Sequence, residues 1–278
     1  MGVTQFGGTQ MLLRHAKDHE FVSAENTFEA IDDKNGKVVC SCAIYTAENR
    51  ELFPMRPFRI YLELNGSQIP DALLGAAVAR AKEIARDANL PARIFTMIEP
   101  DDREALQSLT DFGFKDNDGL IRMKRGCAKL CEENLPVGCV LVRDLLDDPM
   151  EQKFFLERYN RQFAEENDAE WLKQLINTEG FERILIVSPT GMAAEALINE
   201  ENGIGSVIWL YTSKKWRGRG VAATALNIAC NEFNMHGIHT AHMDVQAKVP
   251  HLISILERAG FAQSELLCRY PGMDIDPE

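Results

Sequence analysis

The sequence predicts an α/β (α+β) protein of two domains, each a mixed, mostly antiparallel sheet flanked by helices. Three observations carry that expectation. The chain has 278 residues, about twice the commonest size of a single hydrophobic core. Apolar residues recur with period 2 in some segments and with helical spacing in others, so strands and helices interleave along the chain. A shift of 147 residues lays Gly113-Phe114 on Gly260-Phe261, Leu109 on Leu256 and Arg122 on Arg269, the mark of a duplicated unit. The expected division is 1–130 and 131–278, with a linker around Gly126 to Gly138.

In the first half, Asn35-Gly36 reads as a hairpin turn between strands Phe28 to Ile31 and Lys37 to Tyr45. Phe58 to Leu64 is a further strand, Ala72 to Ala88 a helix, Ala92 to Ile98 extended, and Asp101 to Phe112 a helix closed by Gly113. Leu13 to His19 reads as a helical start. In the second half a short strand at Cys139 to Val142 precedes two helices. Phe155, Tyr159 and Phe163 mark the first, within Pro149 to Phe163, and Trp171, Leu172, Leu175 and Ile176 the second. Arg183 to Ser188, Met192 to Asn199 and Ile204 to Thr212 form an antiparallel meander turning at Pro189-Thr190-Gly191 and Gly203. Ala222, Leu226, Ala229 and Phe233 then mark a helix that stops near Gly237. A strand at Ile238 to Gln246, a helix at Pro250 to Ala259 and a closing strand at Phe261 to Tyr270 follow. The 147-residue shift also lays Tyr61 to Asn65 on Ile208 to Thr212.

Charge narrows the partners. The 30 Lys+Arg against 42 Asp+Glu leave a net charge of −12, which repels a phosphate backbone and tolerates a cationic amine. Nucleic acid is therefore not an expected partner. No apolar run approaches the roughly 20 residues that cross a bilayer, and Met1 to Gln10 carries no signal-peptide pattern, so a cytoplasmic protein without a membrane partner is expected. Seven cysteines without a repeated Cys-x-x-Cys read as reduced thiols. His236, His239 and His242 are spaced by three across a helix-to-strand junction, not along one helix face, so no metal site is expected.

The stretch that carries chemistry is Lys214-Lys215-Trp216-Arg217-Gly218-Arg219-Gly220-Val221-Ala222, between an apolar strand and an amphipathic helix. A strand that enters a helix through a glycine turn points unpaired N–H groups and the positive end of the helix dipole at one spot, and that spot binds anions. Gly218 and Gly220 remove the Cβ atoms that would hold a phosphate away, and Lys214, Lys215, Arg217 and Arg219 add positive charge. The plainer alternative is a solvated basic turn with a glycine cap. The run lacks the Gly-Lys-Ser/Thr ending of a P-loop and the Gly-x-Gly-x-x-Gly of a dinucleotide fold.

Arg217-Gly218-Arg219-Gly220-Val221-Ala222 resembles the pyrophosphate-binding signature Gln/Arg-x-x-Gly-x-Gly/Ala of the GNAT superfamily of N-acetyltransferases. The resemblance extends to the strand Ile208 to Thr212 and to Leu256-Glu257-Arg258-Ala259-Gly260-Phe261, similar to the family's Tyr-Glu-Lys-Leu-Gly-Phe helix terminus. It covers Cys139 to Tyr270, with a weaker echo in the first half. It implies acetyl-CoA as co-substrate and attack on the thioester by a primary amine of a small molecule or peptide within a ternary complex. It further implies that Leu210, Tyr211 and Thr212 offer backbone groups to the pantetheine arm and to the developing oxyanion, and that Gly218 to Ala223, including Arg219, Gly220, Val221 and Ala222, hold the pyrophosphate with Arg217.

Two positions depart from that pattern. Leu256 stands where many relatives carry a Tyr that protonates the leaving thiolate, and Val249 where many carry an Asn. Tyr211 and Tyr270 are the candidate catalytic residues in their place, with Ser254 and Asp244 as further substitutes. The shift sets Pro70-Asp71-Ala72-Leu73-Leu74-Gly75 opposite Arg217 to Ala222, replacing cation and glycines with proline, a carboxylate and leucine. The first domain is therefore expected to be a degenerate copy that does not bind CoA. A catalytically weak acyl-CoA sensor and a phosphate-binding interaction module are the rival readings.

Overall fold

The computed structural model describes residues 3–6, 9–16, 22–66, 69–163 and 166–277. Ahead of the linker lie β1 (Val3–Phe6), β2 (Thr9–Arg14), β3 (Thr27–Asp32), β4 (Val38–Glu48), β5 (Phe58–Asn65), α1 (Asp71–Ala88), β6 (Ala92–Phe95), α2 (Arg103–Asp111) and β7 (Gly119–Gly126). After it come β8 (Val140–Asp144), α3 (Pro149–Phe163), α4 (Ala169–Ile176), β9 (Glu182–Ser188), β10 (Gly191–Glu201) and β11 (Ile204–Thr212). The chain closes with α5 (Val221–Met235), β12 (Thr240–Gln246), α6 (Pro250–Arg258), β13 (Ala262–Arg269) and β14 (Gly272–Ile275). Leu13 and Arg14 sit in β2 rather than in a helix: Leu12 and Leu13 pair with Ile31 and Ala30 of β3, and sheet pairing overrides the local helical pattern. Residues 17–19 of that expected helix lie outside the described residues.

Two compact units divide the chain. One is Met1–Gly119 with Cys268–Glu278, the other Leu120–Leu267. The first unit's sheet runs β1-β2-β3-β4-β5-β6-β14, and the second's β13-β7-β12-β11-β10-β9-β8. A division at 130/131 would leave β7 with the first half and β14 with the second; the sheets assign each strand the other way. Ile121 and Met123 of β7 stand opposite Val245 and Met243 of β12 on the core side of the second sheet. Gly272 opens β14, and a Cβ there would lie 2.6 Å from the Ile94 carbonyl oxygen of β6, so glycine permits the pairing.

In the first unit, α1 lays Leu73, Ala77, Ala81 and Ala85, with Leu74 and Val78, on the sheet as one helical stripe. Its parallel crossover joins β5 to β6 through four pairs, Phe58↔Ala92 to Tyr61↔Phe95. In the second unit α5 and α6 cover one sheet face with a core of Val207, Leu210, Val221, Leu226, Phe233 and Leu256. On the other face Phe155 of α3 and Leu172 of α4 pack on Leu197 and Trp209.

The internal repeat extends to individual hydrogen bonds. Phe114 N–H donates to Leu109 O at 3.0 Å and Gly113 N–H to Thr110 O at 3.0 Å; Phe261 N–H donates to Leu256 O at 2.9 Å and Gly260 N–H to Glu257 O at 2.9 Å. Both glycines have positive φ, 108° and 85°, so α2 and α6 end in the same glycine-capped turn.

Candidate functional site

The second unit's sheet parts between β11 and β12. Their parallel ladder consists of Gly205↔Ala241 and Ser206↔His242, and no further pair joins them among the described residues. Immediately past that point β11 bulges: Leu197 of β10 pairs with Trp209 and Ile198 with Val207, leaving Ile208 as the extra residue. A bulge bends its strand and re-aims the residues after it. Val207 and Leu210 face the α5 core, whereas Trp209 and Tyr211 face the α3–α4 side. The backbone of Leu210 to Thr212 therefore runs along an open wedge whose apex is Ser206 and His242.

The wedge leads to the glycine turn. Ser213 N–H donates to Ala193 O and closes β11, and Lys214–Trp216 make one 3-10 turn. Gly218 and Gly220 take φ of 74° and 80°, a region that disfavours side chains. Beyond its own chain neighbours, a Cβ at either would meet nothing within 4 Å among the described residues, so the space over the loop is open to a ligand. Gly220 caps α5 without a side-chain bond, its carbonyl accepts from Thr224 N–H at 3.1 Å, and the first helical turn holds no acidic residue. The N–H groups of Val221, Ala222 and Ala223 thus have no intrahelical acceptor, and no carboxylate of that turn offsets the dipole. Val221 and Ala222 are buried and anchor the turn. Arg217 donates from Nε to Thr212 O at 3.2 Å, and the Arg219 guanidinium lies 5.4 Å from the Trp216 ring centroid.

The candidate acids separate. Tyr211 is half-buried on the wedge, its ring stacked on Trp209 at 6.0 Å and 9°. Tyr270 belongs to the first unit, edge-on to Phe95 at 5.8 Å, and burial, with the Cys268 thiol next, pushes its phenol well above the usual range. The two are thus not gathered within one unit, as the exchange of β7 and β14 dictates. Both Asp244 carboxylate oxygens accept from Arg122 at 2.7 Å, so that group is committed to an ion pair. Leu256 and Val249 are core residues. Ser254 is half-buried on α6.

Two further features escaped the sequence reading. Glu195 of β10 is wholly buried and accepts from Arg158 of α3 at 2.8–3.2 Å, with Arg183 at 3.6 Å. Burial raises its carboxyl above the usual range although both arginines lower it. A lone charge within the apolar run Ala193-Ala194-Glu195-Ala196-Leu197 is the sequence signal of such a pair. His242 is the other. Ala241, Met243 and Val245 face the core, so His242, Asp244 and Gln246 share the opposite face, which strand alternation makes readable. Among the described residues no group of three or more His, Cys, Asp or Glu could hold a metal ion, and all seven cysteines are free. No described helix is long and apolar enough to cross a membrane.

No family model and no curated protein sequence matches the chain. Solved structures do. A GCN5-related N-acetyltransferase from Sphaerobacter thermophilus superposes with a TM-score of 0.52 at 16% identity, over 93% of this chain and 84% of that one. Another, from Anabaena variabilis, gives 0.52 at 12% identity over 90% of this chain and 63% of the other. A probable N-acyltransferase from Enterococcus faecalis gives 0.51 at 9% over 88% and 61%. The first alignment takes in most of the chain, and the open wedge and glycine turn sit on the same scaffold: the protein is built on the fold of the GCN5-related N-acetyltransferases.

Proposed function

We propose that the second unit transfers the acetyl group of acetyl-CoA to a primary amine of a small molecule or peptide. The observation that supports it most is the continuity of the unpaired wedge along Leu210 to Thr212 with the open turn at Gly218 and Gly220. A diphosphate needs converging N–H groups and positive charge; an extended amide-bearing arm needs an unpaired strand edge. Both lie within one short stretch.

In this reading the N–H groups of Gly218 to Ala223, with Arg217 and Arg219, hold the pyrophosphate. A charge at a helix N-terminus is worth up to about 2 kcal/mol and each charge-assisted hydrogen bond about 1.5–3 kcal/mol. Leu210, Tyr211 and Thr212 offer main-chain groups to the pantetheine arm, which continues along β11 toward the apex at Ser206, and a main-chain N–H near that apex steadies the negative charge that grows on the acyl oxygen. The bound co-substrate supplies an activated acyl carbon on a thiol leaving group. Tyr211, on the face that an amine would approach, is one hydroxyl donor of the wedge. The net charge of −12 favours a cationic acceptor.

The first unit is proposed as the degenerate copy. Its α1 starts at Asp71, which the repeat aligns with Gly218, and ends at Ala88, aligned with the last residue of α5. Helix has replaced the glycine turn, and Asp71 sits in the first helical turn, where an anion would bind.

The buried Leu256 favours a second reading, a sensor that binds acyl-CoA without turnover. Calorimetric titration with CoA, competed by adenosine 3′,5′-bisphosphate, tests the site. Thiol release from acetyl-CoA with amine probes separates the two readings, since a sensor binds the co-substrate and releases no thiol above background. Failure of CoA to bind overturns both.

A further inference from the structure

We propose that His242 is the catalytic proton acceptor for the attacking amine; this rests on the acyl-CoA reading of the wedge. His242 pairs with Ser206 at the last step before β11 and β12 part, so its side chain stands at the apex. Strand alternation puts it on the sheet face away from α5, the face that Trp209 and Tyr211 share. From Thr212 back to Ser206, β11 runs about 20 Å at roughly 3.3 Å per residue, the order of length of an extended pantetheine arm. An arm anchored at the glycine turn therefore delivers its thioester near this imidazole.

The side chain has the chemistry for that place. His242 is 7% exposed, and its Nδ1 is buried without a hydrogen-bond partner among the described residues. A buried nitrogen left unpaired costs about 1–3 kcal/mol, a cost the core of a strand pair ordinarily avoids and a reacting site retains. Four charged groups face the imidazole: Arg122 and Lys124 from β7, Asp244 on its own strand and Glu201 from β10. Burial foremost, then Arg122, lowers its pKa below the ordinary value, with Asp244 and Glu201 opposing. Because Arg122 binds both Asp244 oxygens, that carboxylate does not claim the imidazole. A neutral imidazole is the form that accepts a proton.

The step balances within the ternary complex. The acceptor reacts as the free base, its ammonium proton having gone to water; the nitrogen forms the bond to the acyl carbon and one N–H proton passes to His242. The carbon–sulfur bond breaks with its electron pair on sulfur. His242 then returns the proton to that sulfur, leaving amide, free thiol and neutral imidazole.

The test uses the full-length protein. Nitrogen-15 spectra of its histidines, with His242 assigned through His242→Gln, are followed against pH with and without saturating CoA, binding being checked by calorimetry in the same buffer. His242 is expected to titrate below about 6.5 and its signals to move when CoA binds. In thiol-release assays with benzylamine, spermidine and glucosamine, His242→Gln is expected to lower kcat about 100-fold, to keep CoA affinity within about twofold, and to lose the acid limb of the kcat/KM profile at the midpoint that the spectra give. His242→Asn repeats the assay should the glutamine variant unfold. Bound CoA that leaves the His242 signals in place, a charged imidazole at neutral pH, or an unaltered rate overturns the role of His242 alone. If no probe is acetylated, the spectra decide. Absence of CoA binding overturns the site reading and the His242 role with it, and calorimetry shows that failure separately.

Discussion

Gly205 and Phe233 occupy the same volume in turn: a Cβ added to Gly205 would lie 2.6 Å from the Phe233 ring carbons. The residue that opens the short β11–β12 ladder is therefore also the one that lets α5 settle onto the sheet. Gly205→Ala is expected to cost about 1–3 kcal/mol by overpacking, read by denaturant unfolding. Adding Phe233→Leu should recover part of that loss; an additive double variant would refute the contact.

The glycine turn and its counterpart in the first unit should respond oppositely. Gly220→Asp places a carboxylate at the head of α5 and is expected to weaken CoA binding at least about 100-fold, with the unfolding midpoint little changed, since Asp tolerates a left-handed conformation. Asp71→Ala should leave CoA affinity unaltered. Equal losses in calorimetry would mean that the site has been placed on the wrong unit.

Arg158, itself partly exposed, holds the wholly buried Glu195 in an ion pair. Arg158→Met removes the hydrogen-bonded partner and leaves the carboxylate only Arg183, 3.6 Å away, and is expected to cost about 3 kcal/mol at neutral pH. The sign with pH follows from the raised pKa of Glu195. The folded state holds the proton more tightly than the unfolded one, so the carboxyl's contribution is most favourable below the unfolded value of 4.5 and is lost as pH rises through the folded one. Removing Arg158 raises the folded value further. The variant's deficit in Tm should therefore shrink as pH drops toward 4.5, which melting curves across that interval would check.

Removal of residues 271–278 takes away β14 and leaves β6 as a sheet edge. The amide of Thr96, which donates to Pro271 O at 3.2 Å, should lose its protection in hydrogen exchange, and the first unit should melt earlier while CoA affinity of the second is retained. Unchanged exchange at Thr96 would argue that β14 contributes nothing to that sheet.

Elements whose signal is local were legible in the sequence. Pro at N1 and a glycine stop mark α6, Pro149 opens α3, and β11 was bounded as found, Ile204 to Thr212. The wedge itself was not. Its bulge falls at Ile208 within Val207-Ile208-Trp209-Leu210, apolar on both faces, so the alternation that would betray a change of register is absent. The placement of β7 and β14 depends on pairing between distant residues, and so does the membership of Tyr270 in the first unit. The spacing of His242 from His236 and His239 speaks only to metal ligation, whereas its strand neighbours Met243 and Val245 assign it to the polar face.

The exchange of β14 sets a schedule for synthesis. A nascent chain leaving the ribosome has every other strand of its first sheet long before the segment that completes it, and the whole second unit must be translated in between. Until then β6 offers an unsatisfied border to any passing strand, so a translational stall ahead of β14 is expected to injure the half of the protein that was made first.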